Sequence, residues 1–129
     1  MKKVVLHVGM HKTGTSSIQK SLSVNPRLLN KYGFTYPKFV FNSKEITNHS
    51  ILFYNLFGNY CNYHINRQTQ LTDIEVENYR EDLFTQLRSS LSKESKFIFS
   101  GEDLCSLSSS QLNDLKLFLR EYSIDDIEI

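Results

Sequence analysis

Lys3-Val4-Val5-Leu6-His7-Val8-Gly9-Met10-His11-Lys12-Thr13-Gly14-Thr15-Ser16 is the stretch on which the reading of the chain turns. Residues 3–8 are rich in β-branched side chains and stop at Gly9, the pattern of a short buried strand. Residues 9–14 read as a loop, and a helix is expected from about Thr15 to Ser23 with Ile18 and Leu22 on one face. Glycines between a strand and a helix let the backbone turn sharply and aim its N–H groups inward. The helix start adds free donors and the positive end of a dipole. Lys12 supplies a full positive charge; Thr13, Thr15 and Ser16 supply hydroxyls; His11 lies where it can reach a ligand or an acceptor. Gly9, His11, Lys12, Thr13, Gly14, Thr15 and Ser16 are therefore the candidate binding residues for a dianionic phosphate or a phosphosulfate. The alternative is an anion-capable helix start in an inactive or repurposed protein.

The spacing differs from that of the nucleoside-triphosphatase loop, which puts Lys directly after the second glycine and then Ser or Thr. Here Thr15 holds that place and Lys12 lies between the glycines. Only Glu102 and Asp103 stand where an acidic magnesium ligand could follow a strand, so a magnesium-dependent triphosphatase is disfavoured.

Working outward, Pro26 can open a short helix to Lys31 that Gly33 stops, and Phe34–Tyr36 reads as a second strand ended by Pro37. Residues 48–57 are expected to be helical up to Gly58, and residues 59–71 to form a loop. Thr72 or Asp73 can cap a long helix to about Ser92, with Val76, Tyr79, Leu83, Phe84, Leu87 and Leu91 as its apolar stripe. Lys96–Ser100 is a compact strand. Ser108 with Gln111 forms a capping-box pattern, followed by a helix with Leu112, Leu115, Phe118, Leu119 and Tyr122 on its buried side. Residues 126–129 look like the start of a further strand. Strands alternating with helices predict a three-layer α/β domain spanning residues 1–129, with a mostly parallel sheet and a strand-loop-helix phosphate site. A parallel strand normally leads into another helix, so the domain is expected to be incomplete at its C-terminus, with a strand that ends the domain as the alternative.

Composition narrows the function classes. The 129 residues are 40% hydrophobic and 22% charged, with a net charge of +1. That balance gives no electrostatic case for nucleic acid or an anionic membrane, though a small anionic ligand needs only a few local donors. The apolar run after Lys2 and Lys3 is too short for a signal-peptide core, and nothing approaches a membrane span. Cys61 and Cys105 allow one disulfide at most; such sparse use favours a reducing compartment, and a cytoplasmic location is expected.

Lys12-Thr13-Gly14-Thr15-Ser16 after His7-Val8-Gly9 resembles the 5′-phosphosulfate loop of the sulfotransferase family, whose sulfuryl donor is 3′-phosphoadenosine-5′-phosphosulfate (PAPS). Ile18-Gln19-Lys20-Ser21-Leu22 is similar to the helix that follows that loop. Gly33-Phe34-Thr35-Tyr36-Pro37 is similar to the next strand of bacterial members, and Phe97-Ile98-Phe99-Ser100-Gly101-Glu102 to the strand whose end carries the catalytic base. The resemblance implies that Lys12 neutralises the leaving phosphate. It also implies that Thr15, Ser16 and the amides of Thr13 and Gly14 hold the 5′-phosphate. Glu102 is implied as the general base, and the acceptor as a hydroxyl, with carbohydrate the candidate class. The family's second signature, an Arg and a Ser for the 3′-phosphate, has no counterpart in the chain. Self-association or a partner chain completing the sheet is one expectation; a non-catalytic anion-binding module and a P-loop kinase-like enzyme are the rival readings.

Other candidates carry less. His49, at the start of an apolar helix after a polar stretch at 42–48 that could border the acceptor cleft, is the second choice of base because imidazole titrates near neutrality. A capping or surface role is its alternative, as a capping or solvent-exposed role is for Glu102. His7 is expected in the core or at a strand edge. His7 and His11 do not share a helical face, and Cys61 and His64 lack further partners, so no metal is expected. Phe39, Phe41, Phe53, Tyr54, Phe57, Tyr60 and Tyr63 read as core, with a sugar- or aryl-binding cleft as the alternative.

Overall fold

The computed structural model describes residues 1–9 and 15–129. Within them the chain runs β1 (Lys3–His7), α1 (Thr15–Val24), α2 (Pro26–Lys31), β2 (Phe39–Phe41), β3 (Lys44–Ile46) and α3 (Ser50–Phe57). A 3₁₀ turn at Tyr60–Asn62 precedes α4 (His64–Gln68), α5 (Asp73–Lys93) and β4 (Lys96–Ser100). A second 3₁₀ turn, Glu102–Ser106, leads to α6 (Ser109–Arg120) and β5 (Asp126–Glu128). The fold is mixed α/β: a three-stranded parallel sheet in the order β4-β1-β5, a separate β2-β3 hairpin and six α-helices among the described residues.

β1 is the central strand. It pairs with β4 from Lys3↔Lys96 to His7↔Ser100 and with β5 from Lys3↔Asp126 to Val5↔Glu128. Alternation along the strands sends Val4, Leu6, Phe97 and Phe99 to one face, all buried. There they join Leu52 and Phe53 of α3, Leu83, Leu87 and Leu91 of α5, and Leu115 and Leu119 of α6 in one core. Each such side chain removed from water stabilises the fold by about 1.5–3 kcal/mol. On the opposite face, the β1 and β4 ends present His7 and Ser100, which α1 meets through Gln19.

Several sequence expectations are met closely. Both capping boxes form: Thr72 Oγ1 accepts from the Glu75 N–H at 3.2 Å, and Ser108 Oγ from the Gln111 N–H at 3.1 Å. Gly33 ends α2 with φ 79°, a left-handed conformation suited to glycine.

Others are corrected. The strand expected at Phe34–Tyr36 shrinks to one parallel bridge, Thr35↔Phe97, because Gly33 and Pro37 bound it on both sides. The stretch at 42–48 contains the tip of a hairpin: Asn42 and Ser43 take φ 50° and 62°, the conformation of a two-residue turn, and Lys44–Ile46 returns beside Phe39–Phe41. Residues 59–71 hold a 3₁₀ turn and α4 in place of the expected loop. Tertiary hydrogen bonds fix them there, with Asn66 Nδ2 donating to Asn55 Oδ1 at 2.6 Å and to the Tyr60 carbonyl at 3.1 Å. On α1, Ile18 is exposed and Gln19 and Ser23 are buried, since that face must match a polar strand edge. Leu112 of α6 is also exposed. The aromatic cluster is mainly core: Phe39, Phe41, Phe53 and Tyr63 are buried, and Tyr54 stacks on Tyr63 at 4.3 Å. No helix among the described residues is long and apolar enough to cross a membrane.

Candidate functional site

The carboxyl ends of β1 and β4 lie side by side and define one edge of the sheet. In open parallel sheets, ligands collect at that edge. β1 ends at this edge with His7, and α1 begins at Thr15. His11, Lys12, Thr13 and Gly14 lie outside the described residues, as do the side chains of Thr15 and Ser16. Gly9 is the last described residue before them.

Glu102 leaves the same edge two residues after β4 ends. It is half-buried, and both carboxylate oxygens accept hydrogen bonds: Oε2 from Gln19 Nε2 at 3.2 Å and Oε1 from Asn48 Nδ2 at 3.0 Å. Gln19 Nε2 also donates to Ser100 Oγ at 3.3 Å, and Ser100 Oγ lies 2.9 Å from His7 Nδ1. One chain of polar contacts therefore runs from the end of β1 across β4 to Glu102. Gln19 is four residues into α1, so its backbone lies about 6 Å along the axis from the first residue of the helix.

The backbone around Glu102 is tightly fixed. Gly101 N–H donates to the His7 carbonyl at 3.0 Å, and Asp103 N–H to Ser50 Oγ at 3.0 Å. Tyr63 donates its hydroxyl to Asp103 Oδ2 at 2.7 Å. Burial, with that carboxylate bond second, pushes the Tyr63 hydroxyl far above the ordinary tyrosine range. Tyr36, whose hydroxyl donates to the Thr47 carbonyl, is also pushed up, chiefly by burial.

His49 does not reach this edge as a base. It has no exposed surface, its Nε2 lies 2.7 Å from the Pro37 carbonyl, and its Nδ1 accepts from the Ser100 N–H at 3.0 Å. That pattern fixes the neutral Nε2–H tautomer and leaves no free lone pair for a substrate proton. Burial lowers its pKa to about 4. His49 is a structural pin between β4, Pro37 and α3.

Sequence reasoning missed Gln19 and Asn48. Gln19 carried no signal of its own, since a polar side chain one turn into a short helix reads as solvent face. Asn48 carried only its place at the end of the polar stretch at 42–48, set as a whole beside an acceptor cleft. Cys61 and Cys105 are free and exposed. Among the described residues no cluster of His, Cys, Asp and Glu could hold a metal ion. An apolar groove of about 320 Å³ lies between α6 and β5, lined by Leu112, Leu115 and Ile127 and away from Glu102. Compared with family models, curated proteins and solved structures, the chain has no match.

Proposed function

We propose that the chain is a PAPS-dependent sulfotransferase domain acting on an acceptor hydroxyl, with carbohydrate as the candidate acceptor class. The observation that carries the reading is the juxtaposition at one sheet edge. The central strand β1 ends shortly before Lys12 in sequence, and Glu102 leaves the neighbouring strand bonded to α1, the helix that begins shortly after Lys12.

In this reading the amides of Thr13 and Gly14, with the hydroxyls of Thr15 and Ser16, hold the 5′-phosphate at the start of α1. The acceptor oxygen attacks sulfur, its proton passes to Glu102, and the bond from sulfur to the bridging phosphate oxygen breaks. Lys12 stabilises the negative charge that develops on the departing phosphate. His11 faces the acceptor or the donor from within the loop. The nucleotide leaves as 3′-phosphoadenosine 5′-phosphate.

Calorimetric titration of the chain with 3′-phosphoadenosine 5′-phosphate, beside ATP with magnesium, tests the assignment. Binding of the former, lost in Lys12→Ala, is expected. Preference for ATP with magnesium would favour a kinase-like enzyme, and silence toward both would favour a non-catalytic module.

A further inference from the structure

Glu102 is gripped from two sides by amides belonging to different elements. Gln19 reaches it from α1, and Asn48 from the segment before α3. Each amide is itself anchored. Gln19 is 3% exposed and shares its donor with Ser100 Oγ. Asn48 spends its Oδ1 on the Ser50 N–H at 2.8 Å, which ties it to the first turn of α3. A free glutamate after a strand end samples several rotamers. One held at both oxygens keeps a single orientation, and an ionised carboxylate has about four acceptor positions, so two donors still leave room for an incoming proton.

We propose that Gln19 and Asn48 are positioning residues for Glu102. They hold its carboxylate in the one orientation that takes the acceptor proton, and Gln19 ties that orientation to the helix following the phosphate loop. Each acts on the reaction only through its hydrogen bond to Glu102. The idea rests on the sulfotransferase reading above and adds to it the residues that aim the base.

Two measurements on the full chain test it together. The first is the ¹⁵N-resolved side-chain amide signals of Gln19 and Asn48, compared between the wild type and Glu102→Gln. The second is release of 3′-phosphoadenosine 5′-phosphate from PAPS with water as acceptor. It is followed for the wild type, Gln19→Met, Asn48→Leu, Glu102→Gln and the two double variants. Both amide pairs are expected to shift when the carboxylate is replaced. Gln19→Met and Asn48→Leu are each expected to lower kcat about ten- to hundredfold with KM for PAPS unchanged, since a misaimed group costs rate and not ground-state binding. Neither substitution should lower it further in the Glu102→Gln background.

Unmoved amide signals overturn the proposal whatever the activity. So do losses that persist undiminished beside Glu102→Gln, or that fall on KM alone, because these mark a role in the fold or in binding. A wild-type chain that releases no nucleotide while both amides respond fails differently: it removes the sulfotransferase reading first, and the positioning role in turnover with it.

Discussion

At Gly101 a Cβ would lie 2.5 Å from the Ser50 backbone nitrogen and 2.8 Å from its Oγ. The obstruction is main chain at the start of α3, so it cannot swing aside as a side-chain tip can. Gly101→Ala is therefore expected to cost about 1–3 kcal/mol, the usual range for overpacking. Urea denaturation reads that cost; an unchanged midpoint would mean that α3 yields freely. The same substitution should disturb the Asp103 N–H bond to Ser50 Oγ, and with it the fixed backbone around Glu102. Residues of this kind show how far the sequence could be read. The place of Glu102 was legible because a carboxylate just past an apolar strand is a local pattern. Gln19 was not, because glutamine on a short helix reads as solvent face until Ser100 and Glu102, more than 80 residues away, arrive beside it. His49 was misread for the same reason: its two partners, Pro37 and Ser100, come from distant parts of the chain.

Elements specified by adjacent residues were readable, and those made by distant partners were not. The start of α5 follows from Thr72 and Glu75, and the start of α6 from Ser108 and Gln111, each box closing within four residues. The β2-β3 hairpin escaped because its turn is Asn42-Ser43 and lacks the glycine that usually marks a two-residue turn. Its strands are three residues long, too short for a visible alternation. What keeps it folded is burial of Phe39, Phe41 and Ile46 and the grip of Gln86 on both polar groups of Val40, at 2.8 Å each. Ser43 adopts φ 62° at a cost that glycine does not bear. Ser43→Gly should therefore raise stability, by up to about 1 kcal/mol once the larger unfolded-state entropy of glycine is set against the relieved strain. Thermal melting decides it. A lower midpoint would mean that the seryl side chain contributes more than its backbone conformation costs.

The end of β4, Pro37 and the start of α3 are joined through one buried ring. The imidazole of His49 packs 4.4 Å from the Tyr36 ring and edge-on to Phe39 and Phe99 at 5.5 and 5.2 Å. Its nitrogens tie Pro37 to Ser100, and its own N–H donates to the Ser100 carbonyl at 2.7 Å. Protonating Nδ1 would set two donors face to face in a site without water contact. The folded pKa accordingly falls to about 4, against 6.5 when the chain is unfolded. Below pH 6.5 the unfolded chain binds a proton that the folded chain refuses. The stability this ring contributes is thus complete above pH 6.5 and lost as pH falls from there through 4. Between pH 7 and pH 5 the loss should be roughly 2 kcal/mol. Glu128 and Glu77 are held below the usual carboxylate range, Glu128 mainly by its bond from Lys3 and Glu77 by its bond from Tyr60, so their own loss comes at lower pH. Urea midpoints at the two pH values measure the difference, and His49→Gln separates this ring from everything else. The glutamine amide can still donate toward Pro37 but leaves the Ser100 N–H unpaired. That variant should be less stable at pH 7 by about 1–3 kcal/mol and nearly indifferent to pH over the same interval. A wild type equally stable at pH 5 and 7 would mean that the ring takes up its proton without unfolding, and that the three elements meeting at it are held by their apolar contacts alone.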